Sequence, residues 1–121
     1  MTKRILVVED QEDNRRIVRD LLNSVGFELI EAVTGEEGVQ RAEEIVPDLI
    51  LMDIQMPVLD GYEATRRIKA SAKCGHIPII VITSYALSGD DAKAMAAGAD
   101  AYVAKPFSPR DLLAKIRQFT S

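Results

Sequence analysis

The sequence predicts a doubly wound α/β fold in which a five-stranded parallel sheet is flanked by five helices. Three observations predict it. A short apolar, mostly β-branched run followed by a longer stretch with helical spacing recurs five times. The first, third and fourth runs (Ile-Leu-Val-Val at 5–8, Leu-Ile-Leu-Met at 49–52, Ile-Ile-Val-Ile at 79–82) are apolar without a break, as strands covered on both faces are. The connections are short, and parallel strands need crossovers, which are right-handed. A mixed α+β domain is the alternative, and the regular alternation speaks against it.

The elements follow in order. After the strand at 5–8, Ile17, Val18, Leu21, Leu22 and Val25 mark one face of a first helix, which Gly26 ends as a left-handed residue. The second strand, 27–32, mixes Glu28 and Glu31 with apolar residues and reads as a sheet edge. Thr34 and Glu37 have capping-box spacing; Val39, Ala42, Ile45 and Val46 form the face of the second helix, and Pro47 stops it. Past the third strand, Asp60 with Glu63 opens a third helix on which Tyr62, Arg66 and Lys69 are partly exposed. The fourth strand precedes a helix from Ser88 and Asp91 to Gly98, and the fifth is 101–104. Ser108, with Pro109 at the first helical position and Asp111 two residues later, caps a fifth helix through Leu112, Leu113, Ile116 and Phe119.

Composition bounds the function. With 121 residues, 47% hydrophobic, 28% charged and a net charge of −4, the chain reads as one globular domain over residues 1–121. A domain of this size buries on the order of two thirds of its unfolded surface without disulfide staples. Cys74 is the only cysteine, so an intrachain disulfide and a cysteine-based zinc site are excluded, and the chain is expected in the cytoplasm. No apolar run approaches the ~20 residues of a membrane span, and no signal peptide is expected. The acidic balance disfavours direct nucleic-acid binding, which needs clustered Lys and Arg.

In open α/β sheets, ligands bind outside the carboxyl ends of the strands, where the strand order reverses. Strand one runs into Glu9-Asp10, strand three into Asp53, strand four into Thr83-Ser84 and strand five into Lys105-Pro106. An order of 2-1-3-4-5 would bring all of these to one rim. Two unit charges ~4 Å apart repel by about 4 kcal/mol at an effective dielectric near 20. Three unrelieved carboxylates would therefore consume much of a domain's ~5 to 15 kcal/mol. Lys105 supplies one positive charge, and a divalent cation can supply more; oxygen-only donors favour Mg²⁺. Screening by water and Lys105 alone is the other reading. A carboxylate beside a cation and a lysine is equipped to attack phosphorus and form an acyl phosphate. Asp53, at the end of a central apolar strand, is the candidate nucleophile; Glu9 and Asp10 are candidate metal ligands, directly or through water. Thr83 would offer a hydroxyl to a phosphoryl oxygen.

These residues carry a family resemblance. Glu9-Asp10 after Ile-Leu-Val-Val, Pro47-Asp48-Leu-Ile-Leu-Met-Asp53-Ile-Gln55-Met56-Pro57, Asp60-Gly61, Pro78-Ile-Ile-Val-Ile-Thr83, Gly98-Ala-Asp-Ala-Tyr102 and Lys105-Pro106-Phe107 occur in that order. Over essentially all 121 residues the chain resembles the receiver domain of two-component response regulators, a CheY-like, flavodoxin-like fold. Among receivers it is most similar to stand-alone ones of the DivK type. The strand order 2-1-3-4-5 is implied by this resemblance, since receivers are themselves the type example of it.

The resemblance implies that Asp53 accepts phosphoryl from a histidine kinase or histidine phosphotransfer protein. It further implies that Glu9, Asp10, Asp53 and the Gln55 backbone carbonyl bind Mg²⁺ and that Lys105, in a cis Lys105-Pro106 turn, pairs with the phosphoryl group. Thr83 would swing toward the phosphoryl group and Tyr102 would turn inward behind it. That switch would alter the face of helix four, strand five and helix five, where a downstream protein binds, without direct nucleic-acid or membrane contact. The chain would be a phosphoacceptor with at most slow self-dephosphorylation, not an enzyme. No output domain is expected after Ser121, unless the receiver was excised from a longer regulator.

Other readings meet obstacles. A haloacid-dehalogenase-like phosphatase needs a second acid two residues after the nucleophile, where this chain has Gln55. A Ser-His-Asp hydrolase would have to use His76, which precedes strand four at the wrong end of the sheet. Gly35-Glu-Glu-Gly38 lacks phosphate-loop spacing and reads as a helix start. Tyr62 and Tyr85 read as partly buried or surface residues and Cys74 as inert. An interaction module that works without phosphorylation is a third possibility.

Overall fold

Side-chain alternation along three apolar strands requires a covering layer on each face, and the structure supplies both. In the computed structural model, which describes residues 2–54, 59–83, 90–105 and 107–120, five strands alternate with five helices. The strands are β1 Arg4–Val8, β2 Glu28–Ala32, β3 Leu49–Asp53, β4 Ile79–Thr83 and β5 Ala101–Ala104. The helices are α1 Glu12–Ser24, α2 Gly35–Ile45, α3 Gly61–Ala70, α4 Asp90–Ala96 and α5 Pro109–Thr120. Every strand pairing is parallel and the order is β2-β1-β3-β4-β5, so the chain winds one way from β1 to β2 and the other way from β3 on, with the switch between β1 and β3. The edge expected for the charged second strand is there: β2 pairs only with β1.

The period-two rule sorts the core. Ile5, Val7, Leu49, Leu51, Ile80, Ile82 and Val103 pack with Val18 and Leu22 of α1 and Leu112 and Ile116 of α5. Leu6, Val8, Ile50, Met52, Ile79 and Val81 pack with Ala42 of α2, Ala64 and Ile68 of α3, and Ala94 of α4. Each fully buried Leu or Ile contributes roughly 1.5–3 kcal/mol. Register completes the placement: Val8 pairs with Met52 and Asp53 with Ile82, so the next residue of the first strand, Glu9, comes level with Asp53. Thr83 pairs with Ala104, and Lys105 follows at once.

Several local readings need correction. Ile17, expected on the buried face of α1, is 55% exposed and Val25 is also exposed, because only Val18 and Leu22 reach the sheet fully. Arg15 and Arg19 occupy the flank beside β2 by pairing with Glu31. Val46 does not extend the face of α2. It takes a left-handed conformation (φ 51°, ψ 67°), and its N–H donates to the Ala42 carbonyl at 3.0 Å. Pro47 disfavours the right-handed helical region at Val46, and a β-branched residue in the left-handed one costs about 1–2 kcal/mol.

The capping signals are met with adjustments. The Glu37 N–H donates to Thr34 Oγ1 at 3.0 Å, while the Glu37 carboxylate accepts from the Val33 N–H at 2.7 Å, one residue before the usual partner. Asp60 Oδ1 accepts from the Glu63 N–H at 2.9 Å, and Ser108 Oγ more loosely from the Asp111 N–H at 3.5 Å. Gly26 and Gly98 end their helices at φ 87° and 107°. The Ser88 cap lies outside the described residues. Lys69 is more engaged than the helix pattern suggests. Its Nζ donates to the Ile77 carbonyl and to Asp100, both at 2.8 Å, and Asp100 also accepts from the Ile79 N–H, clasping the amino end of β4.

One glycine ties the fold to the end of β3. A Cβ at Gly61 would lie 2.3 Å from the Asp53 carbonyl oxygen and 2.7 Å from Ile54 Cα, so α3 can begin there only without a side chain. Gly61→Ala is expected to lower the unfolding free energy by about 1–3 kcal/mol through overpacking. Urea denaturation checks this, and an unchanged midpoint would show that the backbone yields freely.

Candidate functional site

The carboxyl rim of the sheet gathers side chains through backbone ladders that run one residue past the strands. The Glu9 N–H donates to the Ala32 carbonyl at 3.0 Å, and the Lys105 N–H donates to the Thr83 carbonyl at 2.7 Å. Glu9, Asp53 and Lys105 each continue the row of residues that faces α1 and α5, since they follow Val7, Leu51 and Val103 by two. The chain turns into α1 without a side-chain cap; instead the Gln11 N–H donates to Glu9 Oε2 at 3.1 Å.

The resulting geometry is tight. Lys105 Nζ lies 3.3 Å from Glu9 Oε1 and 3.3 Å from Asp53 Oδ1. Glu9 and Asp53 are buried, at 5% and 4% exposure. Carboxylate oxygens of Glu9, Asp10 and Asp53 lie within 4.8 Å of one another. At that range each pair repels by roughly 3–4 kcal/mol at an effective dielectric near 20. Three carboxylates against one ammonium leave an excess of two negative charges, which a divalent cation would balance.

Asp10 shows where the imbalance falls. Its Oδ1 is buried without a hydrogen-bond partner, the one such side-chain atom among the described residues. Burial, and then the hydrogen bond and charge of Glu9, push its carboxyl above the ordinary 3.8. Both Glu9 oxygens are engaged, by Gln11 and Lys105, whereas Asp10, in the same cluster, keeps one without a partner. An all-oxygen donor set of this kind fits a hard cation such as Mg²⁺.

The remaining candidates fall as follows. Thr83 ends β4 at the same rim and is fully buried, with the parity of Ile79 and Val81. Tyr102 is 36% exposed on β5, beside a shallow cleft lined by Phe107, Asp111 and Lys115, so it faces outward in this structure. Gln55, Ser84, Tyr85 and Pro106 lie outside the described residues. His76 is exposed in the loop before β4, and Cys74 is buried with its Sγ 3.6 Å from the Ile68 carbonyl oxygen. Gly35 and Gly38 serve packing: a Cβ at Gly35 would meet the Leu59 carbonyl oxygen at 2.4 Å, and one at Gly38 would meet Val8. Beside the acids, a mostly apolar cavity of about 400 Å³ opens between α1 and the start of α5, lined by Ile17, Val18, Leu51, Ile82, Phe107 and Pro109 among others. The sequence pattern gave no sign of it, because a helical face does not reveal where two helices stand apart.

Residues 5–117 match the response regulator receiver domain. The chain belongs to that family. Receiver domains are the phosphorylation-dependent switches of two-component systems and take phosphoryl from histidine kinases or phosphotransfer proteins. This receiver is 40% identical over 119 residues to the polar-differentiation response regulator DivK of Brucella ovis, covering 98% of this chain and 97% of that one. It is also similar to the receiver domain of the sensor histidine kinase PA1611 of Pseudomonas aeruginosa, solved with a magnesium ion coordinated in its active-site cleft. That likeness has a TM-score of 0.93 and 38% identity over 99% of this chain and 98% of that one. The chemotaxis protein CheY4 of Vibrio cholerae superposes with a TM-score of 0.91 at 27% identity, covering 98% and 99% of the two chains.

The raised Asp10 carboxyl sets a pH dependence for this receiver. The folded state holds that proton more tightly than the unfolded state does. Metal-free stability therefore falls as pH rises from about the ordinary 3.8 through the raised value, and the deficit is complete above it. Asp10→Asn should raise the melting temperature in EDTA at neutral pH, with the advantage shrinking as pH falls toward 4. A variant that melts at or below the wild-type temperature at neutral pH would contradict this.

Proposed function

We propose that this receiver, a unit spanning residues 1–121, accepts a phosphoryl group on Asp53 from a histidine kinase or histidine phosphotransfer protein in the presence of Mg²⁺. The observation that carries the reading is the shared position of Lys105, equidistant from Glu9 and Asp53 at 3.3 Å, where Asp10 joins the same acid cluster with one oxygen unpartnered. Asp10, Asp53, Glu9 and the Gln55 backbone carbonyl would hold the Mg²⁺; the three acids cluster at the rim, and the similar PA1611 receiver was solved with a magnesium ion in its active-site cleft. When bound, the ion neutralises negative charge on the transferring group.

The chain's own groups do the rest. The Asp53 carboxylate attacks phosphorus, the phosphorus–nitrogen bond to the donor histidine breaks, and the imidazole leaves. Lys105 pairs with the phosphoryl oxygens that then stand where a carboxylate charge stood, and Thr83 donates its hydroxyl to one of them. Tyr102 exchanges its outward position for an inward one, and the α4-β5-α5 face changes shape for a downstream protein. Gln55 in place of an acid leaves water without a strong general base, so hydrolysis is slow. A lone thiol at Cys74 suits a reducing cytoplasm.

Incubation with a small-molecule phosphodonor and Mg²⁺, followed by mass spectrometry of borohydride-trapped peptides, should place one phosphoryl adduct on Asp53. EDTA and Asp53→Asn should each abolish it. Label on another residue, or label indifferent to EDTA, would refute the assignment.

A further inference from the structure

The Glu9–Asp10 turn is held by a side chain outside the acid cluster. Arg15, one turn into α1, donates from Nη1 to the Glu9 carbonyl oxygen at 2.8 Å. Its guanidinium is fixed from two other sides, by Glu12 on the same helix and by Glu31 on β2, 3.3 Å from Nε. Glu31 is itself gripped by Arg19 at 2.7 and 3.0 Å, so the network is anchored in the sheet edge. Arg15 keeps only 12% of its side chain exposed, whereas the neighbouring Arg16 is 60% exposed, with Asp13 at 3.7 Å. The carbonyl Arg15 holds belongs to the peptide that joins Glu9 to Asp10, and so fixes where the two carboxylates meet Asp53.

We propose that Arg15 is a positioning residue for the cation site: its hydrogen bond to the Glu9 carbonyl, braced by Glu31 and Glu12, orients the Glu9–Asp10 turn so that Mg²⁺ is bound tightly. The inference rests on the metal reading above. Position and charge predict opposite outcomes. A guanidinium near a cation site repels the cation, so deleting it as a mere charge strengthens binding. Deleting it as the holder of the turn weakens binding, and partners of this outer kind typically account for about 10- to 100-fold in metal affinity.

Titration calorimetry of Mg²⁺ into the metal-free full chain separates them. Arg15→Ala is expected to weaken Mg²⁺ binding by about 10- to 100-fold. Arg16→Ala, with the same change in charge on the exposed side of α1, should bind as the wild type does or slightly tighter. Arg15→Lys keeps the charge but loses the planar fork that reaches a carbonyl and two carboxylates at once. It should recover part of the affinity, and it decides the matter if Arg15→Ala fails to fold. Wild-type or tighter binding by folded Arg15→Ala, or wild-type binding by Arg15→Lys where Arg15→Ala does not fold, would overturn the inference alone. A wild-type chain that binds no Mg²⁺ would overturn the metal reading, and this inference with it.

Discussion

Lys105 stands between two buried carboxylates at equal distance, and the arrangement of the rim depends on that shared ion pair. Without it, the buried Glu9 and Asp53 would face each other and Asp10 with no countercharge from the chain. With it, one negative charge is answered and two are not. The site is thus held together and left wanting by the same residue. A cluster tuned only for stability would have been neutralised within the chain, since buried unpaired charge is among the most expensive features a small domain can carry.

The sheet makes this tension tolerable. Parallel register sets Glu9 and Asp53 level, and the period-two alternation points them to the face of α1 and α5 together with Lys105. None of the three is free to turn away, because the rows beneath them are buried and the ladders continue through Glu9 and Lys105. The close approach of Gly61 to the Asp53 carbonyl holds the third strand's end in the same way. Rigidity at this rim converts a small change in charge into a change in which groups can pair, and that is what a switch requires.

Much of this was legible in the sequence because strand periodicity and strand-end polarity are both local signals. The three uninterrupted apolar runs gave the central strands to within one residue, and the acids directly after two of them gave the site. All of the failures but Val46 share one cause, that packing across elements leaves no local mark. Ile17 has the helical spacing of a core residue, yet the sheet beneath α1 is reached only by Val18 and Leu22. Val46 has the spacing too, but Pro47 turns it into a left-handed cap. Glu31 read only as a sign of a sheet edge, although it anchors Arg15 and Arg19; an acid on a strand and a basic residue on the preceding helix say nothing of their meeting until the β1–β2 pairing is known. Lys69 and Asp100 were missed for the same reason, being 31 residues apart.

On the proposed reading, the symmetry of Lys105 is also what makes phosphorylation consequential. An ammonium with two equivalent partners has no preferred one, so a modest change at either carboxylate decides where it goes. Turning Asp53 into an acyl phosphate takes the charge off the strand end and sets a more negative group further out, and Lys105 must lean after it or fall back on Glu9. Its backbone N–H donates to the Thr83 carbonyl at 2.7 Å, so the residue that answers the charge at Asp53 also joins the ends of β4 and β5. Lys105 lies three residues from outward-facing Tyr102. On that reading, Lys105 links the charge at Asp53 on the central strand to the end of β5, the edge strand that carries Tyr102.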